Sequence, residues 1–258
     1  MRALIFDLDD TLLVQDRSDD EARVAACLVA SARHGLDPAA LAAGAHERAR
    51  RLWLESPAVD FCHSVGISST EGLWAGFAGA DPHLQALRAW APTYRRETWR
   101  SALEAFDVDD DDLAATMAEV FMTERRARQV VFPEAEAVLR DLKRDHRVGL
   151  LTNGAPDLQR EKLAGSGLGK YFDAVIVSGD LGYGKPDPRV FMHLLGLLKT
   201  PPSDAVMVGD NPSRDIAGAR AAGVYAVWID RGGDRKPDAG STPDARIDDL
   251  RALRSLLP

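Results

Sequence analysis

Uninterrupted apolar runs occur at residues 3–6, 148–151, 174–177, 205–208 and 224–229, each rich in Val, Ile, Leu or Ala and bounded by Asp, Gly, Asn or Thr. Continuous rather than alternating apolarity predicts strands covered on both faces, and therefore a parallel sheet. Between the later runs, helical spacing recurs at 134–143, 158–163, 189–198 and 216–222. Asp187-Pro188 and Asn211-Pro212 each offer a capping side chain followed by Pro in the first turn, and Gly223 ends a helix. Strand and helix in alternation predict an α/β fold, a doubly wound parallel sheet whose ligands gather beyond the carboxyl ends of the strands.

Residues 15–129 have another texture. No comparable strand run occurs there; amphipathic stretches at 21–32, 39–54, 84–90, 94–105 and 113–126 predict helices, with starts at Asp37-Pro38 and Asp81-Pro82 and breaks at Gly35 and Pro57. The expected organisation is an α/β core from residues 1–14 and 130–258, interrupted after its first strand by an α-helical domain over 15–129.

Composition narrows the function. The formal net charge is -8, so neither nucleic acid nor an anionic membrane surface is expected as a partner. The N-terminal apolar burst is too short to span a membrane and carries no signal-peptide pattern; with Cys27 and Cys62 isolated from each other and from metal-ligand spacing, a cytoplasmic, reducing location is expected.

The candidate chemistry lies at the strand ends. Asp7 and Asp9 follow the first run two residues apart, and Asp210 follows the run ending Val208-Gly209, so a parallel sheet puts all three on one edge. Two like charges about 4 Å apart repel by about 4 kcal/mol at an effective dielectric of 20. Such a cluster calls for a cation, and an all-oxygen donor set with open positions points to Mg²⁺. Thr152 and the backbone beyond it at Asn153 end another run and suit a phosphate oxygen, while Lys185, in a loop stiffened by Pro186 and Pro188, can neutralise a carboxylate and a developing phosphoryl charge.

Other signals carry less. Gly179 to Lys185 nearly spells a P-loop, but Pro186 removes the hydroxyl and the amide that motif requires. The acidic run 109–112 lacks calcium-loop spacing and is expected to be a solvated helix start, and no two His residues stand at zinc-ligand spacing. Arg95, Arg96, Arg100, Arg125, Arg126 and Arg128 are expected on solvated helix faces, and Trp53, Trp74, Trp90 and Trp99 in the core of the helical domain.

Taken in order, strand plus Asp7-x-Asp9-x-Thr11, strand plus Thr152, Lys185-Pro186, then strand plus Gly209-Asp210 and Asp215 resemble the four-motif signature of the haloacid dehalogenase superfamily. The stretches LLTNG, LQREKL, YFDAVIVSGD, GKPDPRVF and VMVGDNPSRDIAGARAAG are similar to the branch containing N-acylneuraminate-9-phosphate phosphatase and related nucleotidases, and the insertion point resembles that of its helical cap. The resemblance implies that Asp7 is the nucleophile that forms an aspartyl phosphate. Asp9 would be the general acid and base and lend its backbone carbonyl to Mg²⁺. Thr152, Asn153 and Lys185 would bind the phosphoryl group, Asp7 and Asp210 would ligate the metal, and Thr11, Asn211 and Asp215 would surround it. The implied activity is Mg²⁺-dependent hydrolysis of a small phosphorylated metabolite, a sugar phosphate or nucleoside monophosphate. Phosphomutase, haloacid dehalogenase and a non-catalytic binding module are the alternatives; Asp9 argues against the dehalogenase, since a departing halide needs no proton.

Overall fold

The computed structural model describes residues 2–233 and 235–256. Two compact units partition the chain, one formed by Met1–Val14, Val130–Asn153 and Gln159–Pro258, the other by Gln15–Gln129 and Gly154–Leu158.

In the first unit, six strands form one sheet in which every adjacent pair runs parallel. We number all strands in chain order: β1 (Ala3–Phe6), β2 (Leu13–Val14), β3 (Val130–Val131), β4 (Arg147–Thr152), β5 (Ala174–Val177), β6 (Ala205–Gly209), β7 (Tyr225–Ile229) and β8 (Ala245–Ile247). The sheet order is β5-β4-β1-β6-β7-β8, with β2 and β3 pairing separately and antiparallel. Register puts Phe6 level with Leu150 and Val208, so the chain leaves β1, β4 and β6 at one edge. Along β1 the side chains alternate between layers. Ala3 and Ile5 pack with Leu151, Met207, Phe191 and Leu194, whereas Leu4 and Phe6 pack with Leu150, Val208, Leu139 and Leu250. Both faces of the central strand are therefore buried, which is why its sequence shows no polar alternation. Burying one such large side chain contributes about 1.5–3 kcal/mol.

Helices, numbered likewise, are α1 (Asp16–His34), α2 (Pro38–Trp53), α3 (Val59–Val65), α4 (Ser69–Gly72), α5 (Pro82–Glu104), α6 (Asp111–Ala127), α7 (Ala135–Leu142), α8 (Pro156–Ser166), α9 (Ser178–Leu181), α10 (Pro188–Leu198) and α11 (Ala217–Ala221). Asp37, Asp81 and Asp187 each cap a helix that begins at the following Pro. The expected helix at 216–222 is shorter than predicted, because Asn211 caps a single π turn, Pro212–Ile216, that precedes α11.

Two expectations for the helical unit are corrected. The stretches 84–90 and 94–105 are one helix, α5, that passes through Pro92; the proline is exposed while Leu87, Ala91, Tyr94 and Thr98 hold the buried face. Arg125 is not on a solvated face: it is buried against Asp19 and Gln15 and lies 4.6 Å over the Trp74 ring. Arg95 likewise turns inward and donates to the carbonyls of Gly72 and Ala75. Trp53, Trp74 and Trp99 are buried in the core of this unit. The acidic run is a helix start, with Asp110 accepting from the Leu113 amide. Among the described residues, no helix is long and apolar enough to cross a membrane.

Candidate active site

The carboxyl edge of the sheet collects the charged residues. Asp7 directly follows β1, and its amide donates to Val208 O at 3.0 Å, which fixes its backbone between β1 and β6. Asp210 follows β6, and Asp215 lies in the π turn after it. Carboxylate oxygens of Asp7, Asp210 and Asp215 lie within 4.8 Å of one another, all three residues buried. Gly209 makes the approach possible, since a Cβ there would meet Asp215 Oδ2 at 2.3 Å.

Lys185 enters this cluster from the loop before α10, its Nζ 2.5 Å from Asp7 and 2.7 Å from Asp215. The loop is held by Asn153, whose side-chain amide donates to Lys185 O and accepts from Lys185 N at 2.8 and 2.9 Å. A Cβ on Gly184 would meet Asn153 Oδ1 at 2.5 Å, so this clasp needs glycine beside the lysine. Thr11 donates to Asp210 Oδ1 at 3.4 Å and accepts from the Asp210 amide at 3.1 Å; Trp228 Nε1 donates to Asp210 O. Asn211 caps the π turn, and its amide donates to Asp215 Oδ2 at 2.9 Å.

Burial pushes the Asp7 carboxyl up to about 7, with Lys185 opposing and the Asp215 and Asp9 charges adding to the rise. Asp210 is likewise held well above the usual carboxylate range, by burial first and then by Asp215 and Asp7, with Arg235 opposing. Burial works against the Lys185 ammonium, yet Asp215 and Asp7 outweigh it and hold it above the ordinary lysine range. Lys185 and Arg235, which pairs with Asp210, thus face three carboxylates. An excess of buried negative charge on oxygen donors alone is the setting a hard divalent cation takes.

The Asp7 shift has a sign that can be checked. A carboxyl whose folded pKa lies above its unfolded value of 3.8 adds stability while protonated, and that contribution is lost as pH rises through about 7. Without added divalent cation, the melting temperature of Asp7→Asn relative to wild type is expected to rise between about pH 4 and pH 7. Parallel thermal melts over that range check it, and a constant difference would refute the burial argument.

Not every expected residue joins the cluster. The Asp9 carboxylate turns instead to α8, accepting from Lys162 Nζ at 2.8 Å and Gln159 Nε2 at 3.2 Å. Thr152, at the end of β4, donates to Gln159 Oε1 at 3.1 Å. Asp215 does join the cluster, buried and ion-paired with Lys185. Sequence reasoning missed Gln159, Lys162 and Arg235. The first two stand three residues apart in LQREKL, a spacing that puts both on one helical face; Arg235 carries no such signal.

A parallel sheet of this order gathers acidic residues just beyond β1 and β6 with a lysine between them, the arrangement of an acidic hydrolase-type site at the carboxyl edge of a doubly wound sheet. The profile of the haloacid dehalogenase-like hydrolases matches residues 1–223, and the chain belongs to that family. It is 42% identical over 254 residues to a phosphoserine phosphatase of Thermus thermophilus, covering 98% of each chain. It is 32% identical over 166 residues to the N-acylneuraminate-9-phosphatase of Mus musculus, covering 63% of this chain and 67% of that one. Among solved structures, a 2-haloacid dehalogenase from Pseudomonas syringae superposes with a TM-score of 0.61 at 29% identity, covering 100% of this chain and 98% of the other.

Proposed function

We propose that the protein is a Mg²⁺-dependent phosphatase that hydrolyses a small phosphomonoester through an aspartyl phosphate on Asp7. The observation that carries this reading is the Lys185 ammonium 2.5 Å from Asp7, which favours the ionised, nucleophilic carboxylate in a site whose burial opposes it. Asp7 attacks phosphorus as the bond to the leaving oxygen breaks, and Asp9 gives that oxygen a proton. Asp9, now a carboxylate, takes a proton from water as the water attacks phosphorus, which releases phosphate and restores Asp7. Thr152, the Asn153 backbone and Lys185 hold the equatorial oxygens. Asp7, Asp210 and the Asp9 backbone carbonyl would hold Mg²⁺, with Thr11, Asn211 and Asp215 around them; when bound, the ion supplies charge neutralisation at the transferring group.

The dehalogenase alternative gains support from the Pseudomonas syringae structure but leaves Asp9 without a task, because a halide departs unprotonated. Phosphoserine heads the substrate panel, since the Thermus thermophilus relative bearing that name matches along nearly the whole chain; N-acylneuraminate 9-phosphate, sugar phosphates and nucleoside monophosphates follow.

Phosphate release from p-nitrophenyl phosphate and from this panel is expected with Mg²⁺, lost with EDTA, and restored by excess Mg²⁺ rather than Ca²⁺. Undiminished turnover in EDTA, an isomerised sugar phosphate in place of free phosphate, or halide release from 2-chloropropionate would each overturn the reading.

A further inference from the structure

The two oxygens of Asp9 are treated differently. Oδ2 accepts from both Lys162 and Gln159, whereas Oδ1 is buried and has no hydrogen-bond partner among the described residues. Both donors come from one face of α8 and are themselves buried, at 2% and 1% exposure. Burying long polar side chains carries a rotamer-entropy cost together with desolvation. On the same helix the neighbouring Leu158 is buried as an apolar residue. Packing alone therefore does not call for a lysine and a glutamine here. The same Gln159 amide also accepts from Thr152 Oγ1, so one side chain ties the end of β4 to Asp9.

We propose that Gln159 and Lys162 are positioning residues for Asp9: by fixing Oδ2 they present Oδ1 for proton exchange with the leaving oxygen, and Gln159 aligns Thr152 with it. The inference rests on the acid–base assignment of Asp9 made above. In the first step the proton leaves Oδ1 for the leaving oxygen, which keeps the electron pair of the broken P–O bond. Asp9 remains a carboxylate with Oδ2 still held by α8. In the second step Oδ1 takes back a proton from the attacking water.

The test separates proton delivery from general damage by changing the leaving group. For the full chain with saturating Mg²⁺, kcat/KM is measured with phenyl phosphate, whose leaving oxygen needs the proton, and with p-nitrophenyl phosphate, whose leaving oxygen scarcely does. Lys162→Met is expected to lower kcat/KM for phenyl phosphate about 100-fold and for p-nitrophenyl phosphate less than about 10-fold, since general acid catalysis is worth roughly 10²–10⁴. Gln159→Leu, close in volume, is expected to show the same inequality at about a tenth of the size. Asp9→Asn runs alongside. If Asp9→Asn itself lacks the inequality, the acid–base assignment fails, and this inference with it. If Asp9→Asn shows it while the α8 variants lose equally on both substrates, or lose nothing, only the positioning inference falls. Should Lys162→Met fail to melt cooperatively, Gln159→Leu, which keeps the Lys162–Asp9 pair, decides the matter.

Discussion

Asp7→Asn is expected to lower kcat by about 10⁴-fold or more while the protein folds as the wild type does. The amide has nearly the carboxylate's shape and can still accept from Lys185, so the packing at the end of β1 is kept. It is a poor nucleophile, and no other carboxylate can take over. Asp215 is committed to Lys185 and the Asn211 amide, Asp210 to Thr11 and Arg235, and Asp9 to α8. The checks are steady-state phosphate release and the intact mass of acid-quenched enzyme. Wild type is expected to show a phosphorylated species and Asp7→Asn none. Turnover within tenfold of wild type would remove Asp7 as nucleophile, whatever becomes of the fold.

That site could be read in part because strands covered on both faces leave an unbroken apolar record. The runs at 3–6 and 174–177 coincide with β1 and β5, and Asp7 and Asp210, just beyond β1 and β6, meet because parallel register aligns the strand ends. β8 left no such record: it is three residues long, lies at the sheet edge, and carries Arg246 on its exposed side. Helix α5 runs unbroken through Pro92 because the proline faces solvent, where the unpaired carbonyl can bond water; a sequence shows the missing N–H but not that placement. Buried polar residues are the harder class. Periodicity counts apolar positions, so it gives no sign that Gln159 and Lys162 of α8 are buried against Asp9 and Thr152. Asp215 is hard to read from sequence for a related reason. A carboxylate near a helix start looks like a dipole partner until the chain brings Lys185 to 2.7 Å from it.

Lys185 is where stability and chemistry pull on the same atom, and Lys185→Met is expected to harm both. Removing the ammonium leaves Asp7 and Asp215 buried beside Asp210 with no cation between them, and breaking a buried pair by deleting one partner costs about 3–5 kcal/mol. The cost is expected to be largest at neutral pH without divalent cation. Asp7, already pushed up to about 7 with Lys185 present, rises further without it, so acidification to about pH 5 protonates the carboxyl and recovers part of the loss. Mg²⁺ is expected to recover another part, by mass action on the folded state. For turnover, kcat is expected to fall about 10³-fold, with the acidic limb of the pH–rate profile moved upward because more of the nucleophile is protonated at any given pH. Lys185→Arg does not escape this. The clasp between Asn153 and the Lys185 backbone sets the stem's origin, and the planar guanidinium cannot place one donor on both Asp7 and Asp215 where a single Nζ now sits. Urea unfolding at pH 5 and 7.5, with EDTA or Mg²⁺, joined to a pH–rate profile, reads both effects. A variant as stable as wild type at pH 7.5 in EDTA, with its acidic limb unmoved, would show that Lys185 does not govern the charge on Asp7.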